Sequence, residues 1–189
     1  MVVDEKGLLA AMKEEYKSLG YKVAADDRSG VENVIISAPL WTVVIRKEDL
    51  PRKVLGLIAE HVGEIPEAGT AYQVSKKQTQ TEIFSMTMQT VKDFNIGEKD
   101  RRIIRRTDLV LGGYPIWQTA TDRRVVEVNP DMEDLMNWGR HVVRLAGDDL
   151  LYVDDDVSRA YIRCSLPKDD PARLEKLAHL AKLQWVAGT

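Results

Sequence analysis

Apolar residues recur at helical spacing in four stretches of the chain, and each stretch begins behind a residue that commonly caps a helix. These stretches are residues 4–19, 49–63, 129–147 and the residues that follow Asp170. Prolines stand in the first turn of the last three, where a missing amide donor costs nothing. The pattern therefore predicts four helices, and the stripe over 129–147 is the clearest of them.

Short runs of β-branched residues predict strands between these helices. Three runs, at 21–25, 31–38 and 41–46, are separated by short turns and predict three antiparallel strands. Further strands are predicted at residues 71–76, 107–113, 114–119, 123–128, 149–153 and 157–166. Residues 78–94 fit either periodicity, and we predict a helix there because so long a strand would be unusual.

These elements predict an α+β protein, with an antiparallel or mixed β-sheet and four to five helices packed mainly on one face. We expect residues 1–189 to form a single domain. A strand followed by a proline-started helix occurs twice, which raises the alternative of a duplicated α+β unit with similar halves at about 1–97 and 98–189. Any strand-to-helix connection uses the same capping residues, however, so the repeated pattern has an ordinary explanation.

The composition is that of a globular protein, with a net charge of −3 and one cysteine, Cys164. No apolar run approaches about eighteen residues, so no transmembrane helix is predicted. The N-terminal stretch carries acidic residues where a signal peptide has a basic start and a long apolar middle, and we therefore expect a cytoplasmic protein. A single cysteine excludes an intrachain disulfide and a cysteine-rich zinc site.

Motifs of the commonest enzyme classes are missing from the sequence. It contains no Gly-x-Ser-x-Gly, Walker A, Gly-x-Gly-x-x-Gly or Cys-x-x-Cys pattern, which argues against the commonest hydrolases and nucleotide-dependent enzymes. His61, His141 and His179 each lie on a predicted helix, and no two have a metal-ligand spacing. Cys164 lies inside an alternating strand, where a buried, unreactive thiol is usual. We predict no cofactor and no metal site, and we assign no catalytic residue.

Residues 99–124, which we call the basic segment, carry seven cations and three anions, a charge of +4 in an acidic protein. Residues 131–156 follow with eight acids against two arginines, a charge of −6. The two regions either neutralise each other or each face a partner of opposite charge. Residues 101–106, RRIIRR, would leave neither face of a strand apolar, which is typical of a strand at a sheet edge.

Tyr114 and Trp117 follow a glycine pair inside the basic segment, and such residues dominate protein interfaces when they are exposed. We therefore predict a non-catalytic binding or regulatory protein that acts through protein–protein contacts and self-association. The residues predicted to contact the partner are Arg101, Arg102, Arg105, Arg106, Tyr114, Trp117, Arg123 and Arg124. Two alternatives stay open: a nucleic-acid-associated protein with these arginines on phosphates, and a metal-dependent enzyme with carboxylates near 148–156.

Residues 150–156, LLYVDDD, resemble the YxDD turn of palm-type polymerases and reverse transcriptases. The resemblance implies paired aspartates on a hairpin that hold two Mg²⁺ ions. It covers seven residues, and a chain of 189 residues lacks room for the fingers and thumb of those enzymes. We interpret the run as an aspartate-rich turn between two strands.

Overall fold

The computed structural model describes residues 1–27, 30–77, 79–83, 101–164 and 171–180, and these residues build one antiparallel sheet with helices beside it. The strands are β1 (Tyr21–Asp26), β2 (Asn33–Ala38), β3 (Trp41–Arg46), β4 (Thr70–Val74), β5 (Thr79–Ile83), β6 (Arg101–Leu111), β7 (Tyr114–Thr119), β8 (Val125–Glu127), β9 (Arg144–Ala146), β10 (Leu150–Asp154) and β11 (Ser158–Arg163). The helices are α1 (Glu5–Lys17), α2 (Arg52–Val62), α3 (Pro130–Glu133) and α4 (Pro171–Leu180). Strand order in the sheet is β5-β4-β1-β2-β3-β11-β10-β9-β6-β7-β8.

The sheet dominates the architecture, and the prediction of four to five helices packed on its face is wrong. In the described part of the chain, three helices are longer than one turn, and α3 is a single turn. The error lies mainly in residues 129–147. Asn129 caps α3 as predicted, with its side chain accepting from the amide of Asp131, but a 3-10 turn at Trp138–Arg140 and strand β9 replace the rest of the expected helix.

Contacts with the N-terminal residues explain why that helix stops. The carbonyl of Leu135 accepts from the amide of Asp4 at 3.0 Å, and the amide of Asn137 donates to the carbonyl of Val2 at 2.8 Å. Val3 forms an antiparallel bridge with Met136. These backbone groups would otherwise bond within a helix, so tertiary pairing replaces helix propagation here.

The first three strands confirm the predicted antiparallel arrangement, with Ile36 opposite Val23 and Val43. Helix α1 also begins where its cap predicts, since the Asp4 side chain accepts from the amide of Gly7 at 2.9 Å. The helix predicted over 78–94 is contradicted at its start, where β5 pairs with β4. The remainder, 84–94, lies outside the described residues.

The main core fills one face of the sheet, which we call the front face. Leu8 and Met12 of α1 and Ile58 of α2 pack there on alternate strand residues, among them Trp41 and Leu151. Helix α1 also packs against α2 and α3, so these three helices cover the front face. Side chains on the opposite face are buried as well, in two smaller clusters around Ile35 and Tyr152. No described helix has the length and apolar character needed to cross a bilayer.

Strand β6 connects two parts of the sheet. Its first residues, Arg101–Ile103, pair with β9, whereas Ile104 and the residues after it pair with β7 on the other side. Among the described strands none pairs with β6 on the β9 side beyond Ile103, and the last bond there runs from the amide of Ile104 to the carbonyl of Val143, 3.1 Å. The prediction of an edge strand at RRIIRR is therefore wrong, since β6 lies inside the sheet between β9 and β7. Only from Arg105 onward does no described strand pair with β6 on the β9 side.

Candidate partner-binding groove

A groove of about 430 Å³ opens where β6 separates from β9, and we call it the β6 groove. One wall consists of β6 residues from Ile103 to Asp108, and the other of residues 138, 139 and 141–143, with Trp117 from β7 also in the lining. Its volume lies in the range of typical binding sites, roughly 300–1,000 Å³. The groove exists because the chain before Arg144 turns away from β6 in a 3-10 turn instead of extending β9.

A β-bulge shapes the outer end of the groove. Arg106 pairs with Trp117, but the next pair is Val110 with Pro115, so four steps along β6 match two along β7. The side chain of Thr107 is buried and holds the bulge, because its hydroxyl donates to the carbonyl of Ile116 at 2.8 Å and accepts from the amide of Leu109 at 3.2 Å. The bulge therefore bends β6, so that the part of the strand after Arg106 does not continue as a flat sheet edge.

Glu133 organises the wall and floor of the groove. One of its carboxylate oxygens accepts from Nε of Arg106 at 2.8 Å and from Nε1 of Trp117 at 3.3 Å. Its backbone carbonyl accepts from Nε1 of Trp138. The two indole rings lie 4.5 Å apart at an angle of 54°, a favourable tilted arrangement. One acidic residue therefore positions two tryptophans and one arginine.

The bond with Glu133 also sets the electrostatics of Arg106. That hydrogen bond raises the pKa of the Arg106 guanidinium, with a further contribution from the charges of Glu133 and Asp108. One of the outer nitrogens of Arg106 also donates to Glu133 at 3.4 Å, and the arginine side chain is nevertheless 46% exposed at the groove rim. Arg105 and His141 line the same groove. The rim thus carries the charged side chains Arg105, Arg106 and Asp108 above an aromatic floor.

Exposed apolar side chains concentrate at this groove. Among the described residues, nine large apolar side chains are exposed, and four of them are Ile103 (45%), Leu109 (38%), Val110 (58%) and Val142 (52%). Two line the groove, and the other two follow it along β6. Exposed apolar residues grouped at a groove with a polar rim are typical of an interaction site, whereas single exposed apolar residues are ordinary.

Some residues of the basic segment line this groove, and others contact residues elsewhere in the protein. Of the predicted partner-binding residues, the groove brings together Arg105, Arg106 and Trp117, although Trp117 is buried. Tyr114 is half-buried at the start of β7, and Arg123 is exposed in a turn with φ of 57°. Neither lines the groove.

The remaining predicted arginines pair with acids and with a tyrosine ring. Arg102 contacts Asp122 at 2.5 Å and donates to the carbonyl of Gly147, and Arg124 pairs with Asp148. The guanidinium of Arg101 lies over the Tyr152 ring at 4.3 Å. Part of the basic segment is therefore neutralised by neighbouring and downstream acids, which is one of the two arrangements that the charge pattern predicts.

Sequence reasoning missed Glu133, Trp138 and Val142 as groove residues because it placed all three on one helix. Gly139 in the middle of that predicted helix was a signal against it, since glycine destabilises a helix interior by about 1 kcal/mol relative to alanine. His141, expected on the same helix, lies in the loop before β9.

The other two histidines lie away from the groove. The ring of His61 stacks on Tyr16 at 3.8 Å, and its Nδ1 forms a hydrogen bond with the Tyr21 hydroxyl at 2.7 Å. Burial is the main reason that the pKa of His61 is lowered. His179 is exposed on α4. Each therefore has the surroundings of a structural or surface residue.

The acidic turn after β10 is held by structural contacts. Asp155 accepts from the amides of Val157 and Ser158 at 3.0 and 2.8 Å and pairs with the amino group of Met1 at 2.9 Å. Asp154 accepts from the Tyr152 hydroxyl at 2.8 Å. Within the described ranges, no group of three or more His, Cys, Asp and Glu side chains could hold a metal ion. The contacts match an aspartate-rich hairpin turn.

Cys164 provides a direct test of the packing behind β11. Its side chain is buried, and burial raises the pKa of its thiol to about 12. Because the thiolate is the reactive form, we expect a thiol reagent at pH 8 to label the native protein at least about tenfold more slowly than the unfolded chain. Absorbance of the released chromophore with Ellman's reagent, with and without guanidinium, measures both rates; rapid labelling of the native protein would contradict this burial.

Comparison with known proteins gives no relative to guide the assignment. Neither the models of protein families, nor curated proteins, nor solved structures match this chain. The assignment of function therefore rests on the geometry and chemistry of the groove.

Proposed function

We propose that the protein is a non-catalytic cytoplasmic binding protein that contacts protein partners, including itself, through the β6 groove. The observation that carries the proposal is the clustering of exposed aliphatic side chains around a fixed tryptophan floor with a rim of charged side chains. Interfaces commonly combine an apolar and aromatic centre with a polar rim that contains arginine. The partner segment should accordingly present aliphatic side chains next to a carboxylate.

The extent of the apolar surface favours a protein over a small molecule. Ile103 and Val142 belong to the groove, but Leu109 and Val110 continue the surface beyond it along β6. A small ligand would fill the groove and leave those two side chains in water. A protein segment that continues along β6 would reach beyond the groove and cover more of this apolar surface, and burial of apolar surface contributes about 25 cal/mol per Å².

The arginines give less support to the nucleic-acid alternative. Arg102 and Arg124 are engaged by carboxylates, and Arg101 lies over a tyrosine ring. Arg101 and Arg102 also extend from opposite faces of β6, as consecutive strand residues do. A track of phosphates is best met by arginines that converge on one surface.

Charged substitutions in the groove test the proposal. We expect Val142→Glu and Ile103→Glu to weaken protein binding at least tenfold, because a carboxylate would have to enter an apolar contact. Leu55→Glu is the matched control, since Leu55 is exposed on α2 at 42%, away from the groove.

The binding measurement needs no known partner. A random peptide library is selected on sparsely immobilised wild-type protein and counter-selected on Val142→Glu, and the affinities of enriched synthetic peptides are then measured for all variants. The expected peptides carry aliphatic residues and an acidic residue, bind wild type and Leu55→Glu equally, and lose binding to both groove variants. Failure to enrich any peptide that distinguishes wild type from Val142→Glu would overturn the proposed function.

A further inference from the structure

We propose that a second pocket, which we call the Lys22 pocket, binds a small organic acid with a short apolar chain. The pocket has a volume of about 230 Å³, opens beside the turn between β2 and β3, and shares no lining residue with the β6 groove. It therefore adds a ligand of a different class to the function proposed for the groove, and the two assignments are independent of each other.

Four polar side chains from four strands meet in the Lys22 pocket. Lys22 of β1 lies directly opposite Ser37 of β2 and Gln73 of β4 in the sheet register. Residues opposite each other in a sheet extend from the same face, with Cβ atoms about 5 Å apart. Arg163 of β11 lines the same pocket, and its amide donates to the carbonyl of Leu40 at the β2–β3 turn at 2.9 Å. The fold thus gathers hydrogen-bond donors that are far apart in the sequence.

The charge of the lining favours an anion. Among the described residues that line the pocket, Lys22 and Arg163 are positively charged and none is acidic, in a protein with a net charge of −3. Both side chains also take part in other interactions within the chain. A lysine has three N–H donors and an arginine five, so such interactions leave room for a bound anion. A carboxylate accepts strong, charge-assisted hydrogen bonds from these groups.

Two neutral side chains add to the polar end of the pocket. Gly20 has a φ of 83°, and a β-carbon there would lie 2.9 Å from Nε2 of Gln73. The glycine therefore gives the Gln73 amide room at the pocket wall. Ser37 is buried, and its hydroxyl shares a hydrogen bond of 2.8 Å with the Thr42 hydroxyl. With Thr42 as the donor in that bond, Ser37 can donate its own proton to a carboxylate oxygen.

The rim of the pocket is apolar, which favours an organic acid over an inorganic anion. Leu19 is 74% exposed, more than any other large apolar side chain in the described part of the chain, and Pro39 is exposed at the same pocket. A short aliphatic chain would cover Leu19, whereas an inorganic anion would leave it in water. One water occupies about 30 Å³ of liquid, so the pocket has room for about eight non-hydrogen atoms, the size of hexanoate.

Titration of the full chain with hexanoate, followed by the chemical shifts of backbone amides in NMR spectra, tests the inference. We expect saturable binding with a Kd of about 1 mM or tighter and shifts at Gly20, Tyr21 and Ala38. Hexanamide has the same shape without the charge and should bind at least about tenfold more weakly. Acetate keeps the charge but lacks the chain, and it should also bind at least about tenfold more weakly.

Substitutions in the lining separate the contributions of charge and apolar contact. Lys22→Met and Arg163→Met should each raise the Kd of hexanoate at least about tenfold. Lys53→Met is the matched control, because Lys53 is an exposed lysine on α2 outside the lining, and its Kd should equal that of wild type. Leu19→Ser should reduce the preference for hexanoate over acetate. Thermal melts without ligand establish that each variant is folded, and Leu19→Ser, at an exposed position, keeps the test decisive should a cation variant unfold.

Three results would overturn the inference. The first is equal affinity for hexanoate and hexanamide, or no saturation up to about 10 mM, because charge would then select nothing. The second is a set of shifts confined to amides outside residues 19–22 and 37–39. The third is hexanoate binding by folded Lys22→Met and Arg163→Met that matches binding by Lys53→Met. None of these results affects peptide selection on the β6 groove, so the proposed function is decided separately.

Discussion

Replacing Gly7 by alanine is expected to destabilise the protein by about 2–3 kcal/mol, although the same change in most helix interiors is stabilising. A β-carbon at this position would lie 1.7 Å from the carbonyl oxygen of Asp134 and 2.4 Å from its carbonyl carbon. Both are backbone atoms, so no side-chain rotation relieves the overlap, and α1 must move away from the segment after α3. Urea unfolding of wild type and variant at equal pH gives the difference in free energy of unfolding.

Gly56 supplies the control for this prediction. It lies in the interior of α2, and a β-carbon there would meet nothing within 4 Å. Gly56→Ala should therefore stabilise the protein by about 0.5–1 kcal/mol through helix propensity and reduced entropy of the unfolded chain. Equal effects of the two substitutions, in sign and size, would show that α1 does not approach Asp134 closely.

The Gly7 substitution also connects the core to the groove. Asp134 follows Glu133, which holds Arg106 and Trp117. A displaced Asp134 backbone would shift that carboxylate, so Gly7→Ala should weaken groove binding as well as stability. The close packing of α1 against Asp134 therefore helps to position Glu133 in the candidate site.

Removing the carboxylate of Asp155 should destabilise the protein by about 2–3 kcal/mol. Asp155→Ala leaves the amides of Val157 and Ser158 without their acceptor and removes the partner of the Met1 amino group. Hydrogen bonds that involve a charged group contribute about 1.5–3 kcal/mol each to stability, and part of this loss is recovered by water. Asp156→Ala, at the exposed neighbouring position, should change the free energy of unfolding by less than about 0.5 kcal/mol.

The effect of Asp155 should depend on pH in a defined direction. Burial alone would raise the pKa of its carboxyl, but the hydrogen bonds from the amino terminus, the two amides and the Ser158 hydroxyl outweigh burial and lower it. A lowered pKa means that the stabilisation is complete above the ordinary value of about 3.9 and is lost as the pH falls through the folded-state pKa. The difference in melting temperature between wild type and Asp155→Ala should therefore be largest near pH 6 and shrink towards pH 2. A pH-independent difference would assign the effect to packing.

Local sequence signals were sufficient for one part of the fold. Asp4 and Asn129 each cap a helix with their own side chains, and the β-branched runs of β2 and β3 pair as their short turn predicts. These features depend on neighbours within a few residues, where backbone sterics and capping bonds dominate. Such signals also identified the basic segment, in which Arg105, Arg106 and Trp117 line the groove.

Tertiary contacts decided the rest. The apolar stripe over 129–147 has helical spacing, yet the backbone of Leu135, Met136 and Asn137 pairs with N-terminal residues more than a hundred positions away. Helical periodicity in a sequence indicates which side chains are buried, but it does not indicate which backbone groups form hydrogen bonds with each other. Here the backbone groups bond to distant residues and not within a helix. By itself the sequence determined the first strands, the helix caps and the place where charge accumulates. Only the tertiary structure decided that residues 138–143 lie outside the sheet, which the chain enters at Arg144, and that a groove therefore opens beside β6.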